Sequence, residues 1–238
     1  MTQPLFRQDA ALRDCAATVT AINDRGGIVL DRTVFYPTGG GQPGDSGMLS
    51  WEGGSCTIAT AVKGETPDEV VHVPEEGADL PPAGATVTAT LDWDRRHRHM
   101  RVHTALHLLS VVIPLPVTGG SISAEKGRLD FDMPEAPEDK EALQAELNAL
   151  IAADHPVTDE WITDEELAAK PEMVKTMSVK PPMGAGHVRL VRIGGDDPVD
   201  LQPCGGTHVT STSEIGPVRL GKVEKKGKQN RRVSLHLD

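Results

Sequence analysis

Two short runs, His103-Thr104-Ala105-Leu106-His107 and Cys204-Gly205-Gly206-Thr207-His208, stand nearly a hundred residues apart in this 238-residue chain. Between them they hold three imidazoles and one thiol, a set that would fill a tetrahedral zinc shell. The separation is too long for a zinc finger. A fold that uses the four together must bring distant segments to one point, as enzymes do when they build a site.

The first run has a geometric basis. Residues 93 to 113 read as one helix with Met100, Ala105, Leu108, Leu109 and Val112 on an apolar face. Asp92 or Asp94 is placed to cap its start, and Pro114 ends it. Residues four apart lie one turn apart on the same face, so His103 and His107 can grip one ion. Taken alone, the pair also fits two satisfied histidines on a partly buried helix. It is not a metalloprotease helix, because the glutamate of His-Glu-x-x-His is replaced by Thr104. In the second run, glycines between Cys204 and His208 let the backbone bend until both face one point. The plainer alternative is a buried thiol beside a turn.

At this point the residues carry a family likeness. Arg101 to Leu109, paired with Cys204-Gly205-Gly206-Thr207-His208-Val209, resembles the editing domain of alanyl-tRNA synthetase and the free-standing AlaX proteins. Phe35 to Gly47, with its run Thr38-Gly39-Gly40-Gly41-Gln42-Pro43-Gly44, is similar to the glycine-rich segment ahead of the histidines in that family. Ser121 to Phe131 sits where the family has a glycine-containing strand pair. The likeness spans about residues 20 to 232. It implies hydrolysis of mischarged alanine tRNA, with Zn2+ held by His103, His107, Cys204 and His208. It also implies that the glycine-rich segment lies near the zinc. Serine on alanine tRNA is the expected substrate, with glycine next. Thr38, Gln42, Thr104 and Thr207 are the candidate partners for the substrate's hydroxyl. Synthetase editing domains often read His-Thr-Ala-Thr-His; Leu106 here replaces the second threonine. The amino-acid preference therefore stays open, as does the role of zinc, catalytic or structural. A non-catalytic zinc-stabilised tRNA-binding module, a deacylase of serine-charged threonine tRNA and another zinc hydrolase of small esters or amides remain alternatives. A chain of 238 residues leaves no room for an adenylation domain, so the likeness implies a trans-acting factor.

Gly39, Gly41 and Gly44 also match Gly-x-Gly-x-x-Gly, but the residues after them, 45 to 54, hold too many helix breakers for a dinucleotide fingerprint. A loop is expected at the glycines themselves. The first ninety residues read as short strands, at 17–22, 28–31, 55–62, 70–73 and 86–92, around an Asn23–Gly27 turn and a loop at 74–85. That spacing suggests a small β-barrel. Beyond it come a helix at 137–153, a capping box at Thr163–Glu166, and strands at 187–193, 216–223 and 233–237. The expected class is α+β: a barrel domain at 1–92, then a zinc-binding editing domain at 93–238 with an antiparallel sheet packed on helices.

Net charge is −11, which argues against a nucleic-acid partner until its distribution is seen. Residues 1–94 hold 14 acids and 5 bases, whereas residues 95–238 hold 21 acids and 19 bases. Two basic clusters stand out: Arg95, Arg96, Arg98 and Arg101, and Lys222, Lys225, Lys226, Lys228, Arg231 and Arg232. Clusters of this kind make phosphate contacts whatever the total charge, so tRNA is the expected partner. No membrane or stable protein partner is implied. No apolar run is long enough to cross a bilayer, and nothing near Met1 resembles a signal peptide. Three cysteines make no disulfide framework and fit a reducing, cytoplasmic setting. Cys15 and Cys56 are expected as core thiols.

Overall fold

The computed structural model describes residues 2–66, 68–177 and 186–238. The chain is α+β and divides into two compact units, Met1–His99 and Met100–Asp238.

The first unit is a closed barrel. Its strands are β2 (Asp14–Ile22), β3 (Ile28–Leu30), β5 (Gly47–Trp51), β6 (Gly54–Lys63), β7 (Val70–Pro74) and β8 (Thr86–Leu91), in the order β2-β3-β7-β6-β5-β8. Every neighbouring pair is antiparallel, and β8 returns to β2. Two short parallel strands, β1 (Gln3–Pro4) and β4 (Arg32–Thr33), lie outside the barrel. The strand periodicity of two explains the core: Val87, Ala89 and Leu91 of β8 point inward with Leu49, Cys56, Ile58, Val19 and Leu30, and the residues between them face out. Cys56 is buried there; Cys15 is half-buried against the same core. Asn23 shapes the first turn by accepting from the amides of Arg25 and Gly27 at 3.0 and 2.8 Å.

Residues 45–54, for which the sequence excludes only a helix, contain β5. Breakers rule out a helix here, but a strand paired on both edges tolerates them. The glycine run ahead of it folds as a tight reverse turn. Gly39 and Gln42 exchange backbone hydrogen bonds at 3.0 and 2.9 Å, with Gly40 at φ 58° and Gly41 at φ 83°. Two successive positive φ values define a type I′ turn, which side chains with a Cβ rarely allow. No helix follows, so the dinucleotide reading is excluded by the fold.

Helix α1 (Trp93–Val112) runs through the division between the units. The Asp92 carboxylate accepts from the Arg95 amide at 3.2 Å and caps it. In the second unit, β9 (Val117–Ile122) and β10 (Lys126–Asp132) form the strand pair that the likeness implied. Then come α2 (Lys140–Ala152), β11 (Val157–Thr163), α3 (Asp164–Ala168), β12 (His187–Ile193), β13 (Asp200–Pro203), β14 (Val218–Leu220), β15 (Glu224–Lys225) and β16 (Asn230–Leu237). One sheet runs β14-β16-β10-β9, with β15 also paired to β16; a second runs β11-β12-β13. Gly127 of β10 lies against Val102 and Leu106 of α1. Asn148 of α2 bonds both backbone groups of Val218 at 2.9 Å, and Gln144 accepts from the Leu220 amide at 2.8 Å. These two amides, one helical turn apart, cover the β14 edge. Both halves of the capping box, Thr163 and Glu166, are in place.

Candidate metal centre

Helix α1 carries His103 and His107 on adjacent turns of one face, and the segment after β13 carries Cys204 and His208. One ligand atom from each of the four lies within 4.8 Å of the others. The Cys204 sulfur is 3.5 Å from His103 Nε2 and 3.3 Å from His208 Nε2. In a tetrahedral zinc shell with bonds of roughly 2.0–2.3 Å, neighbouring donor atoms stand roughly 3.3–3.6 Å apart, so these spacings match the edges of such a shell. The ring centroids of His103 and His208 are 4.2 Å apart, and those of His107 and His208 4.5 Å. All three histidines are buried. Three imidazoles and a thiol converging on one buried point is an arrangement that a cation would stabilise.

The surrounding groups aim the donors. Thr104 is wholly buried; its hydroxyl donates to the Met100 carbonyl at 3.0 Å. The same oxygen stands 3.1 Å from His208 Nδ1 and accepts from the Val209 amide at 3.3 Å. With its one proton given to Met100, it accepts from Nδ1–H, which leaves His208 Nε2 bare toward the cluster. Thr104 is therefore engaged inside the protein, where it holds the His208 ring. Thr38 is likewise engaged: it accepts from the Gly44 amide at 2.9 Å and donates to the Ala61 carbonyl at 3.3 Å, pinning the glycine-rich loop. Gln42 is buried in that loop, in the barrel unit, and Thr207 is buried between two donors of the cluster. Leu106 is buried against Gly127.

Two supporting residues carry no motif. Arg189 of β12 donates to the carbonyls of Cys204 and Gly206 at 2.8 and 3.0 Å and is paired with Asp159 at 2.7 Å, which clamps the loop that bears the thiol. Asp200 of β13 accepts from His107 Nδ1 at 3.0 Å. A signal for Asp200 exists: alternate residues of a strand share a side, and Asp200, Gln202 and Cys204 are spaced by two. For Arg189 there is none beyond a charge inside an apolar run.

The charges agree with this geometry. Burial alone would raise the Cys204 thiol, but the facing His103 and His208 hold it well below its ordinary value, which favours the thiolate form. Burial would lower His107, yet the hydrogen bonds to Asp200 and Cys204 outweigh it and raise the group to about 9. His208 is held well below 6.5 by burial and by His103 beside it.

The basic clusters are partly structural. Arg96, expected at a phosphate, is completely buried, with its guanidinium on Asp45 and the Val34 carbonyl. Arg101 holds the Ile215 carbonyl at 2.6 and 2.9 Å, Arg232 is paired with Asp130 at 2.8 Å, and Lys226 with Glu224 at 2.7 Å. Arg98, Lys222, Lys225 and Lys228 are exposed.

Residues 188–234 match the family described as threonyl and alanyl tRNA synthetase second additional domain, and residues 10–95 match tRNA synthetases class II (A). The chain is 36% identical over its whole length to an alanyl-tRNA editing protein AlaX-M of Methanosarcina acetivorans, covering 99% of that protein. It is 35% identical to the AlaX-M protein of Methanosarcina mazei, covering 97% of it. An alanine–tRNA ligase of Pyrobaculum neutrophilum is 35% identical over 94% of this chain, which spans 25% of that enzyme.

Proposed function

We propose, from the premise that this chain belongs to the AlaX family of alanyl-tRNA editing proteins, that it removes wrongly attached amino acids from alanine tRNA in trans. It is an aminoacyl-tRNA deacylase, and tRNA is its substrate. Serine is the first candidate for the amino acid removed and glycine the second, and the cytoplasm is the proposed setting. Among the described residues no helix is long and apolar enough to cross a membrane. The observation that carries the reading is the end-to-end match to editing proteins together with the convergence of His103, His107, Cys204 and His208.

We assign Zn2+ to that cluster, because three imidazole nitrogens and a sulfur converge within 4.8 Å, with the sulfur at tetrahedral spacing from two of the nitrogens. Bound there, zinc supplies Lewis acidity. A shell filled by four protein donors resembles closed structural sites, which favours a role in shaping the pocket and orienting the aminoacylated end. The chain's own groups do the rest. Thr104 fixes the His208 ring and Arg189 fixes the loop of Cys204. Thr38, Gln42, Thr104 and Thr207 are the substrate contacts we propose, on the family likeness alone. A hydrogen bond that serine makes and alanine cannot is worth about 0.5–1.5 kcal/mol, or roughly two- to thirteen-fold in rate. That is the second sieve a synthetase needs against a competitor its own pocket admits. We further propose that the functional division falls at 92/93, which keeps all of α1 with the metal domain.

The test is deacylation of alanine tRNA charged with serine, glycine or alanine, with serine-charged threonine tRNA beside it. Serine is expected to be released and alanine largely spared. Equal rates on serine and alanine would defeat the selectivity. Zinc-replete protein that releases nothing from either tRNA would leave a zinc-stabilised RNA-binding module; release from free esters without tRNA would point to a general hydrolase.

A further inference from the structure

Behind His107, on the side away from the cluster, lies a buried chain of charges that the family likeness did not point to. His107 Nδ1 meets one oxygen of Asp200 at 3.0 Å. The other Asp200 oxygen meets Lys175 Nζ at 2.6 Å, and Gln202 Nε2 donates to the first at 2.7 Å. The Asp200 side chain is 0% exposed and that of Lys175 28% exposed. Ser110 of α1 stands 3.4 Å from both Lys175 Nζ and Gln202 Nε2, which ties the chain to the metal helix. A carboxylate buried this deeply is costly unless both its oxygens are hydrogen-bonded and a cation is near. Here both conditions are met, and what the arrangement produces is direction: an acceptor fixed on Nδ1 leaves Nε2 as the only nitrogen of His107 free to ligate.

We infer that Asp200 is a positioning residue for the metal centre, holding His107 with Nε2 toward the ion, and that Lys175 neutralises Asp200 without itself favouring metal. The inference rests on the zinc reading above. The two partners then act with opposite sign. Loss of the Asp200 oxygen frees the ring and removes a negative charge near a dication, so both effects weaken binding. Loss of the Lys175 ammonium leaves a buried negative charge that the dication offsets through His107, so binding is kept or strengthened. A pair that merely held the fold together would weaken binding when either member was lost.

The experiment measures zinc affinity by chelator competition in the full chain. Asp200→Ala is expected to lose about 10–100-fold in affinity. Asp200→Asn keeps an oxygen acceptor for Nδ1–H and is expected to recover part of that loss. Lys175→Met is expected to bind zinc as tightly as the parent or more tightly. The zinc-loaded parent is also expected to show a slowly exchanging His107 Nδ1–H proton by NMR, a readout that requires no variant to fold. Unchanged affinity in Asp200→Ala, equal losses in Asp200→Ala and Lys175→Met, or a parent His107 protonated on Nε2 would each overturn the inference while leaving the editing function standing. A parent that binds no zinc would instead overturn the metal reading on which the inference depends.

Discussion

His72 shows how far one buried titratable group sets the behaviour of the barrel. Its ring sits in the wall with Nδ1 donating to the Ile28 carbonyl at 3.0 Å and Nε2 2.7 Å from the Thr33 hydroxyl, edge-on to Phe35 at 5.0 Å between centroids. Burial pushes its pKa from 6.5 down to about 4, against the smaller upward pull of the Ile28 hydrogen bond. Between pH 6.5 and 4 the unfolded chain therefore binds a proton that the folded barrel refuses. The stability contributed by neutral His72 is fully present above pH 6.5 and is lost as pH falls toward 4, by roughly 2–4 kcal/mol. His72→Gln is expected to be less stable at pH 7 but to lose less between pH 6.5 and 4 in urea unfolding. The difference between parent and variant cancels protonation of the metal ligands. Parallel pH profiles would refute the assignment. The same residue scale shows what a sequence displays and what it hides. The four metal-binding side chains are visible because their chemistry and local spacing are unusual. Arg189 and the locked hydroxyl of Thr104 are hidden because their partners lie far along the chain, and Asp200 shows no more than its two-residue spacing from Gln202 and Cys204. A buried aspartate looks like any surface aspartate until its neighbours are known.

Elements were legible wherever a local rule decides them. The capped start of α1, the Thr163–Glu166 capping box and the strands of β6, β7 and β8 all follow from residues within one or two turns. Strand β5 was not, because Gly47 and Gly53–Gly54 are turn-formers that become strand and hairpin only when β6 and β8 pair on either side. Strand β11 carries the exposed Trp161 and two acids, Asp159 and Glu160, whose partners Arg189 and Arg192 come from the neighbouring β12; its alternation is hidden until those pairs form. The contact between β10 and α1 is a test of this kind of long-range fit. A Cβ on Gly127 would stand 2.6 Å from a Val102 methyl and 3.0–3.1 Å from Leu106. Overpacking of this sort costs about 1–3 kcal/mol, or roughly 2–12 °C in Tm for a chain of this size. Gly127→Ala is expected to fall within that range by calorimetry, and Val102→Ala in the same chain is expected to restore part of the loss. If Gly127→Ala melts with the parent, the helix and sheet are not packed this closely.

At the scale of the whole molecule the acidic total conceals an uneven chain. The α+β class and the β-barrel were legible from strand spacing, but which bases face solvent was not. Arg96, Arg101, Arg232 and Lys226 are each held by a partner within the protein, and only a fold can show that. What remains for phosphate are exposed bases, Lys225 and Lys228 in the hairpin between β15 and β16 and Lys222 before it. Binding driven by phosphate contacts releases counterions, so its affinity falls linearly with the logarithm of salt, by roughly 0.7–0.9 for each contact. If Lys225 and Lys228 each neutralise one phosphate, Lys225→Ala with Lys228→Ala should flatten the salt slope of tRNA binding by about 1.4–1.8. Affinity should fall most at low salt and converge with the parent at high salt. Lys226→Ala, whose ammonium is already paired with Glu224, should change the slope far less. The measurement is tRNA affinity at several salt concentrations for the parent, the double variant and Lys226→Ala. A double variant with the parent's affinity and slope would make this hairpin a solvated face, and the phosphate contacts would have to be sought elsewhere among the exposed bases, beginning with Arg98.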